Sequence, residues 1–404
     1  MVSQIRRGIT DFIGAARPSI ADPFLPRKIE EGRLGDIREC IGCNICYSGD
    51  SLAVPIRCTQ NPTMGEEWRK GWHPEKIPKK ATDSRVLIVG AGPAGLEAAR
   101  ALGARGYDVT LAEASRILGG RVAREASLPG MSEYIRVRDY REQQILNMPN
   151  VEIFRESTMS VSDVLAVDAE HVAIATGARW CRDVAHDKVV TRIAVPGTQV
   201  LTPDDIMEGR LPQGRTVLYD TDGYYMGSVI AERIIAEGTP VTLVTPSDSV
   251  SYWTQMTGER WRIRAHLMRL GVDIVTAHSL QGFDGREASL ACQYSGREKM
   301  LPAQALVVVG HRIPSDSLYH GLLASHEGVS GNLPFSLKRI GDCEAPAIIA
   351  AAVNAGHAYA REMDDPADID MPMKHERIDV GLAEPVRSLL KSSSRPANVQ
   401  DSVI

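Results

Sequence analysis

Between residues 84 and 113 the chain alternates between short apolar runs and one helical pattern. The runs Arg85–Val89 and Asp108–Ala112 predict buried strands, and residues 96–104 between them predict a helix. Continuous apolar runs of this length are typical of parallel strands that are covered on both faces. The strand–helix–strand order therefore predicts an α/β unit with a parallel sheet.

A second unit of the same kind follows later in the chain. Its pattern predicts a strand at 216–219, a helix at 228–236 and a strand at Val241–Val244, with a further strand at Ala305–Val309. Two such units in one chain predict two Rossmann-like domains.

The N-terminal residues form an incomplete pattern. Residues 8–14 predict a short strand and residues 26–35 a helix, which together make a single βα unit. One strand alone has no partner for its backbone N–H and C=O groups. We therefore expect residues 8–14 to dock on a structure outside this chain or to remain disordered.

Composition limits the class of protein. The 404 residues are enough for two or three domains, and a net charge of −5 gives no reason to expect nucleic acid or an anionic membrane as partner. No apolar run approaches the ~18 residues that a transmembrane helix needs. The N-terminus lacks the apolar segment of a signal peptide, so a cytoplasmic, reducing location is expected.

A glycine-rich motif joins the first predicted strand to its helix. It reads Gly90-Ala91-Gly92-Pro93-Ala94-Gly95, and Glu113 ends the second strand. In a dinucleotide-binding unit the glycines allow a tight turn, backbone approach to a pyrophosphate and close helix–strand packing, while the acidic residue accepts both ribose hydroxyls. The helix N-terminus favours the phosphate charge. These residues predict a nucleotide site.

Three further segments are expected to complete this site. A glycine-rich turn follows Glu113, a strand beginning at His171 runs into a turn of small residues, and a later strand ends on an aspartate beside a helix. The second segment on its own also fits a simple strand end. The aspartate can hydrogen-bond a ribityl chain or a ribose. The assigned residues are Gly120, Arg121, Ala175, Thr176, Gly177, Gly341 and Asp342.

Four of the seven cysteines lie close together in the sequence. Three follow at three-residue intervals and the fourth returns after eleven intervening residues; they are Cys40, Cys43, Cys46 and Cys58. Ligation by thiolates alone in this pattern favours a [4Fe-4S] cluster. The alternatives are a zinc site, which usually shows two separate C-x2-C pairs, and cysteines that bind no metal.

The turn after the first strand of the second unit departs from the dinucleotide motif. Asp220 and Asp222 stand where a pyrophosphate would lie, and Tyr224 and Tyr225 replace small residues. Like charges disfavour a phosphate, and the rings block close backbone approach. We expect this unit to keep its fold and to have lost an NAD(P)H site.

These motifs resemble the C-terminal half of the trimethylamine dehydrogenase and 2,4-dienoyl-CoA reductase family. The resemblance covers roughly residues 8–376 and includes Thr59-Gln-Asn and Gly71-Trp-His-Pro beside the cysteine and glycine motifs. The branch of dimethylamine dehydrogenase and N-methylproline demethylase looks nearest, since the second nucleotide site is degenerate.

The resemblance implies a [4Fe-4S] cluster and a site that holds FAD or, in the amine dehydrogenases, ADP. Family members also carry a (β/α)8 barrel with FMN. Arg17 is similar to the arginine of that barrel which helps to bind the FMN phosphate, but the other seven βα units are missing. One strand cannot close a barrel, so FMN is expected only if a complete barrel is supplied elsewhere.

The expected fold is α/β: two Rossmann-like domains of the glutathione-reductase type, preceded by an iron–sulfur segment and a barrel remnant. The predicted domains are the barrel remnant at 1–39, the cluster segment at 40–80, a discontinuous FAD/ADP-binding domain at 81–205 and 311–375, the degenerate NAD(P)-type domain at 206–310, and a polar tail at 376–404.

The resulting hypothesis is an oxidoreductase module that relays electrons through the cluster and the nucleotide domain. The alternatives are a truncated, non-catalytic fragment of such an enzyme and an NAD(P)H-dependent reductase. No catalytic acid, base or nucleophile is predicted. The implied partners are an external electron acceptor such as electron-transfer flavoprotein and a possible separate FMN-barrel subunit, and an oligomer is expected.

Overall fold

The apolar runs of the sequence form two parallel sheets in the computed structural model, which describes residues 2–186, 189–191, 198–325 and 333–364. The helices are α1 (Val2–Arg6), α2 (Ala16–Ala21), α3 (Leu25–Glu30), α4 (Ile45–Ser51), α5 (Glu67–Lys70), α6 (Pro93–Arg105), α7 (Arg121–Glu125), α8 (Arg136–Leu146), α9 (Val161–Ala166), α10 (Pro203–Met207), α11 (Met226–Ala236), α12 (Arg260–Arg269), α13 (Ser317–Ala324) and α14 (Ile349–Glu362). The strands are β1 (Arg85–Val89), β2 (Asp108–Ala112), β3 (Val151–Phe154), β4 (His171–Ile174), β5 (Ala178–Trp180), β6 (Val184–His186), β7 (Val189–Thr191), β8 (Gln199–Leu201), β9 (Thr216–Asp220), β10 (Val241–Val244), β11 (Asp273–Val275), β12 (His278–Phe283), β13 (Glu287–Cys292), β14 (Glu298–Pro302), β15 (Ala305–Val309), β16 (Arg312–Pro314) and β17 (Ser336–Arg339).

The first sheet has the strand order β17-β4-β1-β2-β3, and all its neighbours are parallel. The predicted strands β1 and β2 are confirmed at their predicted bounds. Helix α6 begins three residues before its predicted start, because Pro93 fits the first turn, where a backbone N–H is not needed. The edge strand β17 comes from a distant part of the chain.

The second sheet has the order β11-β10-β9-β15-β8 and is also parallel. The predicted strands β10 and β15 are confirmed, and β9 is one residue longer than predicted. The antiparallel sheet β12-β13-β14 was not predicted from the sequence. Its outer strand β14 is largely exposed and lacks the apolar run that marks the other strands.

The strand predicted for residues 8–14 is wrong. These residues form no strand, and the Phe12 side chain is 89% exposed. A strand is stable only where a neighbouring strand pairs with its backbone groups, and the described residues place no strand beside residues 8–14. The predicted helix at 26–35 is divided into α3 and a 3-10 turn at Leu34–Asp36.

Buried ion pairs hold the segment before the cysteines in place. Lys28 Nζ lies 2.7 Å from Asp22 Oδ2, and both side chains are buried. The same carboxylate accepts the backbone N–H of Arg38, whose guanidinium donates to Asn61 Oδ1 at 3.0 Å and Glu75 Oε1 at 2.7 Å. These contacts tie α2 and α3 to the cysteine-containing segment.

A buried carboxylate joins three helices. Glu97 of α6 is fully buried and accepts hydrogen bonds from Arg100, from Arg141 Nε at 2.8 Å and from His357 Nδ1 at 2.8 Å. Arg141 of α8 also donates to the side chain and the backbone carbonyl of Gln60, at 2.9 and 3.0 Å. Glu97 therefore connects α6, α8 and α14 with the loop that follows Cys58.

None of the described helices is long and apolar enough to cross a membrane. The polar tail predicted at 376–404, and the end of the first nucleotide-binding domain at 365–375, lie outside the described residues. The other domain bounds remain predictions.

The protonation state of His357 makes stability depend on pH. Arg361 donates to His357 Nε2, so Nδ1 carries the proton that bonds Glu97, and burial lowers the pKa of His357 to about 4. Between pH 6.5 and 4 the unfolded chain binds a proton here that the folded chain does not, so acidification through this window destabilises the fold, by at most on the order of 3 kcal/mol.

We expect His357→Gln to reduce the pH dependence of the free energy of unfolding, measured by urea denaturation between pH 7 and pH 4.5. His320→Gln on the exposed face of α13 serves as control and should keep the wild-type slope. If the free energy of unfolding depends on pH equally in the wild type and in His357→Gln, the assignment of a neutral His357 to the folded state is wrong.

Candidate nucleotide cavity and cysteine cluster

A cavity of about 390 Å³ opens where the strands of the first sheet end at their carboxyl termini. This edge of a parallel sheet is where α/β proteins bind their ligands. The structure brings all four predicted segments to this one cavity. The predicted residues that line it are Gly90, Gly92, Pro93, Ala94, Glu113, Gly120, Arg121, Ala175, Thr176, Gly177 and Asp342.

The other predicted residues of the motif lie directly behind the lining. A Cβ at Gly95 would collide with the carbonyl oxygen of Gly90, so only glycine lets α6 pack this close to β1. Gly90 itself has φ +104, and a Cβ there would lie 2.5 Å from the carbonyl oxygen of Ala175. Ala91 is fully buried, and a Cβ at Gly341 would meet the side chain of Ala94.

Glu113 is fixed at the end of β2 by the chain that surrounds it. Its Oε2 accepts the backbone N–H of Ala91 at 2.8 Å, and its Oε1 accepts both the N–H and the hydroxyl of Ser115 at 2.8 Å. By this count one acceptor position remains, on Oε2. The Ser115 hydroxyl also reaches the carbonyl oxygen of Ile117 at 2.7 Å, a bond that would release Oε1 for a second ribose hydroxyl.

Two arginines form ion pairs with the carboxylate of Asp342. Arg121 Nη1 lies 2.9 Å from Asp342 Oδ2, and Arg312 makes an ion pair with the same oxygen. Asp342 Oδ1 accepts the backbone N–H of Ala347 at 3.0 Å. Both guanidiniums also donate to the carbonyl oxygen of Ala347, and Arg312 lies over the ring of Trp180. The protein's own groups therefore satisfy the aspartate that was predicted to bind a sugar.

The arginine pair continues into a buried network. Arg121 Nε lies 2.7 Å from Glu125 Oε1, and the hydroxyl of Tyr225 donates to Glu125 Oε2 at 2.5 Å. Burial works against the charge of Arg121, but the nearby carboxylates of Glu125 and Asp342 raise its pKa. The sequence analysis did not identify Arg312 or Glu125, because neither belongs to a motif.

The four cysteines surround one small cavity, which they share with Arg17, Gln60 and other neighbours. Asn44, between the second and third cysteines, adopts a left-handed conformation with φ +53, which turns the backbone around the cavity. Four cysteines that line one cavity fit the donor set of a [4Fe-4S] cluster, in which each thiolate binds a different iron. Among residues 2–186, 189–191, 198–325 and 333–364, no group of three or more His, Cys, Asp or Glu side chains is placed to hold a single metal ion.

Arg17 and Thr59 lie beside the cysteine cluster. Arg17, predicted by resemblance to bind an FMN phosphate, makes a hydrogen bond to the side chain of Asn44. Thr59 directly follows Cys58, and its Oγ1 lies 3.2 Å from Cys43 Sγ. The sequence analysis quoted Thr59 in a motif but gave it no role, since only the folded chain brings it to Cys43.

Comparison with known proteins identifies the family. Residues 84–330 match the model of the pyridine nucleotide-disulphide oxidoreductases. The chain belongs to this family. The match confirms the α/β fold class with Rossmann-like domains and shows that the protein is an oxidoreductase of a flavin-dependent class.

Three relatives are named for amine chemistry. A dimethylamine dehydrogenase from Hyphomicrobium sp. (strain x) is 38% identical over 90% of this chain and 53% of its own length. The structure of histamine dehydrogenase from Rhizobium sp. 4-9 has a TM-score of 0.90 and 51% identity, over 93% of this chain and 58% of that one. The structure of 6-hydroxypseudooxynicotine amine oxidase from Pseudomonas geniculata N1 has a TM-score of 0.87 and 44% identity, over 90% of this chain and 54% of that one.

These relatives confirm the resemblance to the trimethylamine dehydrogenase family that the motifs indicated. The chain spans little more than half the length of the relatives it matches.

In the second sheet of this oxidoreductase, the turn between β9 and α11 is filled by the protein's own side chains. Asp220 is fully buried; its Oδ1 accepts the N–H of Gly223 at 3.0 Å, and its Oδ2 lies against Gly227 at the start of α11. Burial and the neighbouring Asp222 raise the pKa of Asp220 to about 7. The ring of Tyr252 lies against Gly223. These contacts pack the turn between β9 and α11 with side chains.

We expect Glu113→Gln to weaken ADP binding to nucleotide-depleted protein about tenfold, since a hydrogen bond to a charged group is worth roughly 1.5 kcal/mol. The measurement is isothermal titration calorimetry with ADP. Glu152→Gln, on an exposed position of the neighbouring strand β3, should bind ADP as the wild type does. Equal affinities in all three proteins would show that Glu113 does not contact the ribose.

We expect NADPH to bind the second unit with a Kd no better than about 1 mM, because Asp220 and Asp222 would oppose its pyrophosphate. Calorimetry with protein whose first cavity is saturated with ADP isolates this unit. A micromolar Kd under these conditions would show that the degenerate turn still admits the nucleotide.

Proposed function

We propose that the chain is the electron-transfer part of an amine dehydrogenase, with a [4Fe-4S] cluster on Cys40, Cys43, Cys46 and Cys58 and a nucleotide in the cavity of the first sheet. One observation carries the proposal: the segment that holds the four cysteines and the cavity are both anchored to one helix, α6. Its N-terminus lines the cavity, while Glu97 on the same helix holds Arg141, which fixes Gln60 beside the cysteine cluster. The names of the relatives support amine oxidation as the overall reaction.

The residues around the cysteines provide the surroundings that an iron–sulfur cluster requires. When bound, a [4Fe-4S] cluster accepts and donates single electrons at a potential set by its protein surroundings. Cys43 packs against Ile41, Val122 and Val137, so apolar side chains limit the access of water to this side of the site. The chain supplies thiolates, position and electrostatics, and it needs no catalytic acid or base for this role.

For the nucleotide, the arginine pair favours ADP over FAD. A ribityl chain would have to displace Arg121 and Arg312 from Asp342, breaking two ion pairs inside a largely buried network. Removing one partner from such a network leaves uncompensated charge and costs several kcal/mol. Binding of the adenosine and phosphate groups needs only Glu113 and the glycine motif. Neither takes part in the ion pairs of Asp342.

Exposed apolar side chains support a partner domain that holds FMN. Of the nineteen large apolar side chains that are exposed in the described residues, eight lie between residues 5 and 68, including Phe12 and Trp68. Exposed apolar side chains concentrated in one segment are consistent with an interface. We propose that it contacts an FMN-binding barrel, either elsewhere in the same protein or in a separate subunit, and that an external carrier such as electron-transfer flavoprotein accepts the electrons in the cytoplasm.

Cofactor analysis of anaerobically purified protein tests the proposal. We expect about four irons per chain with a broad visible absorption band, and release of ADP, with no flavin, on denaturation. Cys58→Ser should lose the iron and keep the ADP, because the two sites use separate residues. Cys292→Ser, which changes a cysteine on β13 away from the cluster, should keep both.

Each result separates the alternatives. Zinc in place of iron would refute the cluster, and bound FAD would refute the assignment of ADP while keeping a redox nucleotide. Protein that is folded by circular dichroism but contains neither metal nor nucleotide after reconstitution would refute the relay function altogether.

A further inference from the structure

Thr59 makes a direct contact to a cysteine of the cluster. Its side chain is 2% exposed, and its hydroxyl oxygen lies 3.2 Å from Cys43 Sγ. The position is firmly held, because Gln60 on one side is bonded to Arg141 and Asn61 is bonded to Arg38. A sulfur–oxygen distance of this size between a buried threonine and a half-buried cysteine is within hydrogen-bonding range.

The bonding state of the sulfur decides which atom donates. A cysteine bound to iron is a thiolate, which carries no proton and can only accept. Threonine keeps its hydroxyl proton at every physiological pH and can donate it. With iron bound, the contact must therefore be a hydrogen bond from the Thr59 hydroxyl to the Cys43 sulfur, assisted by the charge of the acceptor.

We propose that Thr59 raises the reduction potential of the cluster by donating this hydrogen bond, which makes it a positioning residue for electron transfer. The inference rests on the proposed function, since it requires the [4Fe-4S] cluster. Gaining one electron adds negative charge that the thiolate sulfurs share, so a donor to one sulfur stabilises the reduced state more than the oxidised one. Hydrogen bonds to the sulfurs and exclusion of solvent are the main means by which proteins adjust these potentials.

Thr59 supplies the side-chain hydrogen bond to the Cys43 sulfur. The cysteine packs against a cluster of apolar side chains that includes Ile41, Val122 and Val137. These side chains offer the sulfur no hydrogen bond, and they limit the access of water that could replace the threonine. The backbone N–H of Ile45 also bonds to the Cys43 sulfur, as that of Gly42 approaches Cys40 at 3.4 Å, but a side-chain substitution at Thr59 removes neither backbone contact.

Thr59→Val removes the hydroxyl and nearly preserves the shape of the side chain, and Thr59→Ser keeps the hydroxyl. Thr63→Val is the matched control, because Thr63 is a buried threonine of the same loop whose hydroxyl donates to Asn61 Oδ1 at 2.8 Å and not to a sulfur. The midpoint potential of each reconstituted full-length chain is measured by electron paramagnetic resonance during titration with dithionite and mediators, which supply the electron.

We expect Thr59→Val to shift the oxidised-to-reduced ratio about tenfold toward the oxidised cluster, which is a fall of about 59 mV for a one-electron couple. Thr59→Ser and Thr63→Val should remain close to the wild type. Equal potentials in wild type and Thr59→Val, or an equal fall in Thr63→Val, would overturn the proposal.

Failure to assemble the cluster is also informative. If Thr59→Val and Thr59→Ala both lose the iron while Thr59→Ser keeps it, the hydroxyl contact is supported; if Thr59→Ser also loses it, the proposal is wrong. Wild-type protein without a reducible iron–sulfur signal would instead refute the proposed function, an outcome distinct from an unchanged potential.

Discussion

The buried carboxylate of Glu97 is the constraint on which the arrangement of both sites depends. A negative charge with no exposure to water is tolerated only when several donors compensate it. Arg100, Arg141 and His357 supply these donors from three helices, and burial keeps His357 neutral so that it donates through Nδ1 and accepts from Arg361 through Nε2. Each partner must stand at one position and orientation, so the three helices cannot shift independently.

This constraint lies on the helix that also lines the cavity, α6. The N-terminal residues of the helix line the cavity, where the positive end of its dipole faces any bound phosphate. In the body of the helix, Glu97 orients Arg141, whose remaining donors hold the side chain and carbonyl of Gln60. Thr59 and Cys58 precede Gln60 directly. The same helix therefore connects the cavity with the cysteine-containing loop, and the proposed electron relay depends on a fixed distance of this kind.

The sequence predicted those features that depend on local spacing. The strands β1 and β2 were predicted correctly, as was the tight turn at the glycine motif, because apolar runs and glycine positions are dictated within a single βα unit. The strand at residues 8–14 was wrong because strand formation depends on a neighbour, and the antiparallel sheet β12-β13-β14 was missed because half of its surface faces water. Thr59 and Arg312 could not be assigned roles, since each acts through a residue that is distant in sequence, Cys43 for one and Asp342 for the other.

Carboxylates stand at different places in the two units. Glu113 follows β2, the second strand of the first unit, whereas Asp220 ends β9, the first strand of the second unit. The Glu113 carboxylate is held by backbone and hydroxyl donors at the rim of a cavity, and by the count of these bonds one acceptor position remains on Oε2. Asp220 ends β9 fully buried, with its Oδ2 pressed against the first turn of α11. The Asp220 carboxylate thus lies in front of the first turn of α11, and burial together with Asp222 raises its pKa to about 7. The two units share the parallel-sheet fold and differ at the turn after the first strand, which is lined by glycines beside a cavity in one unit and packed with side chains in the other.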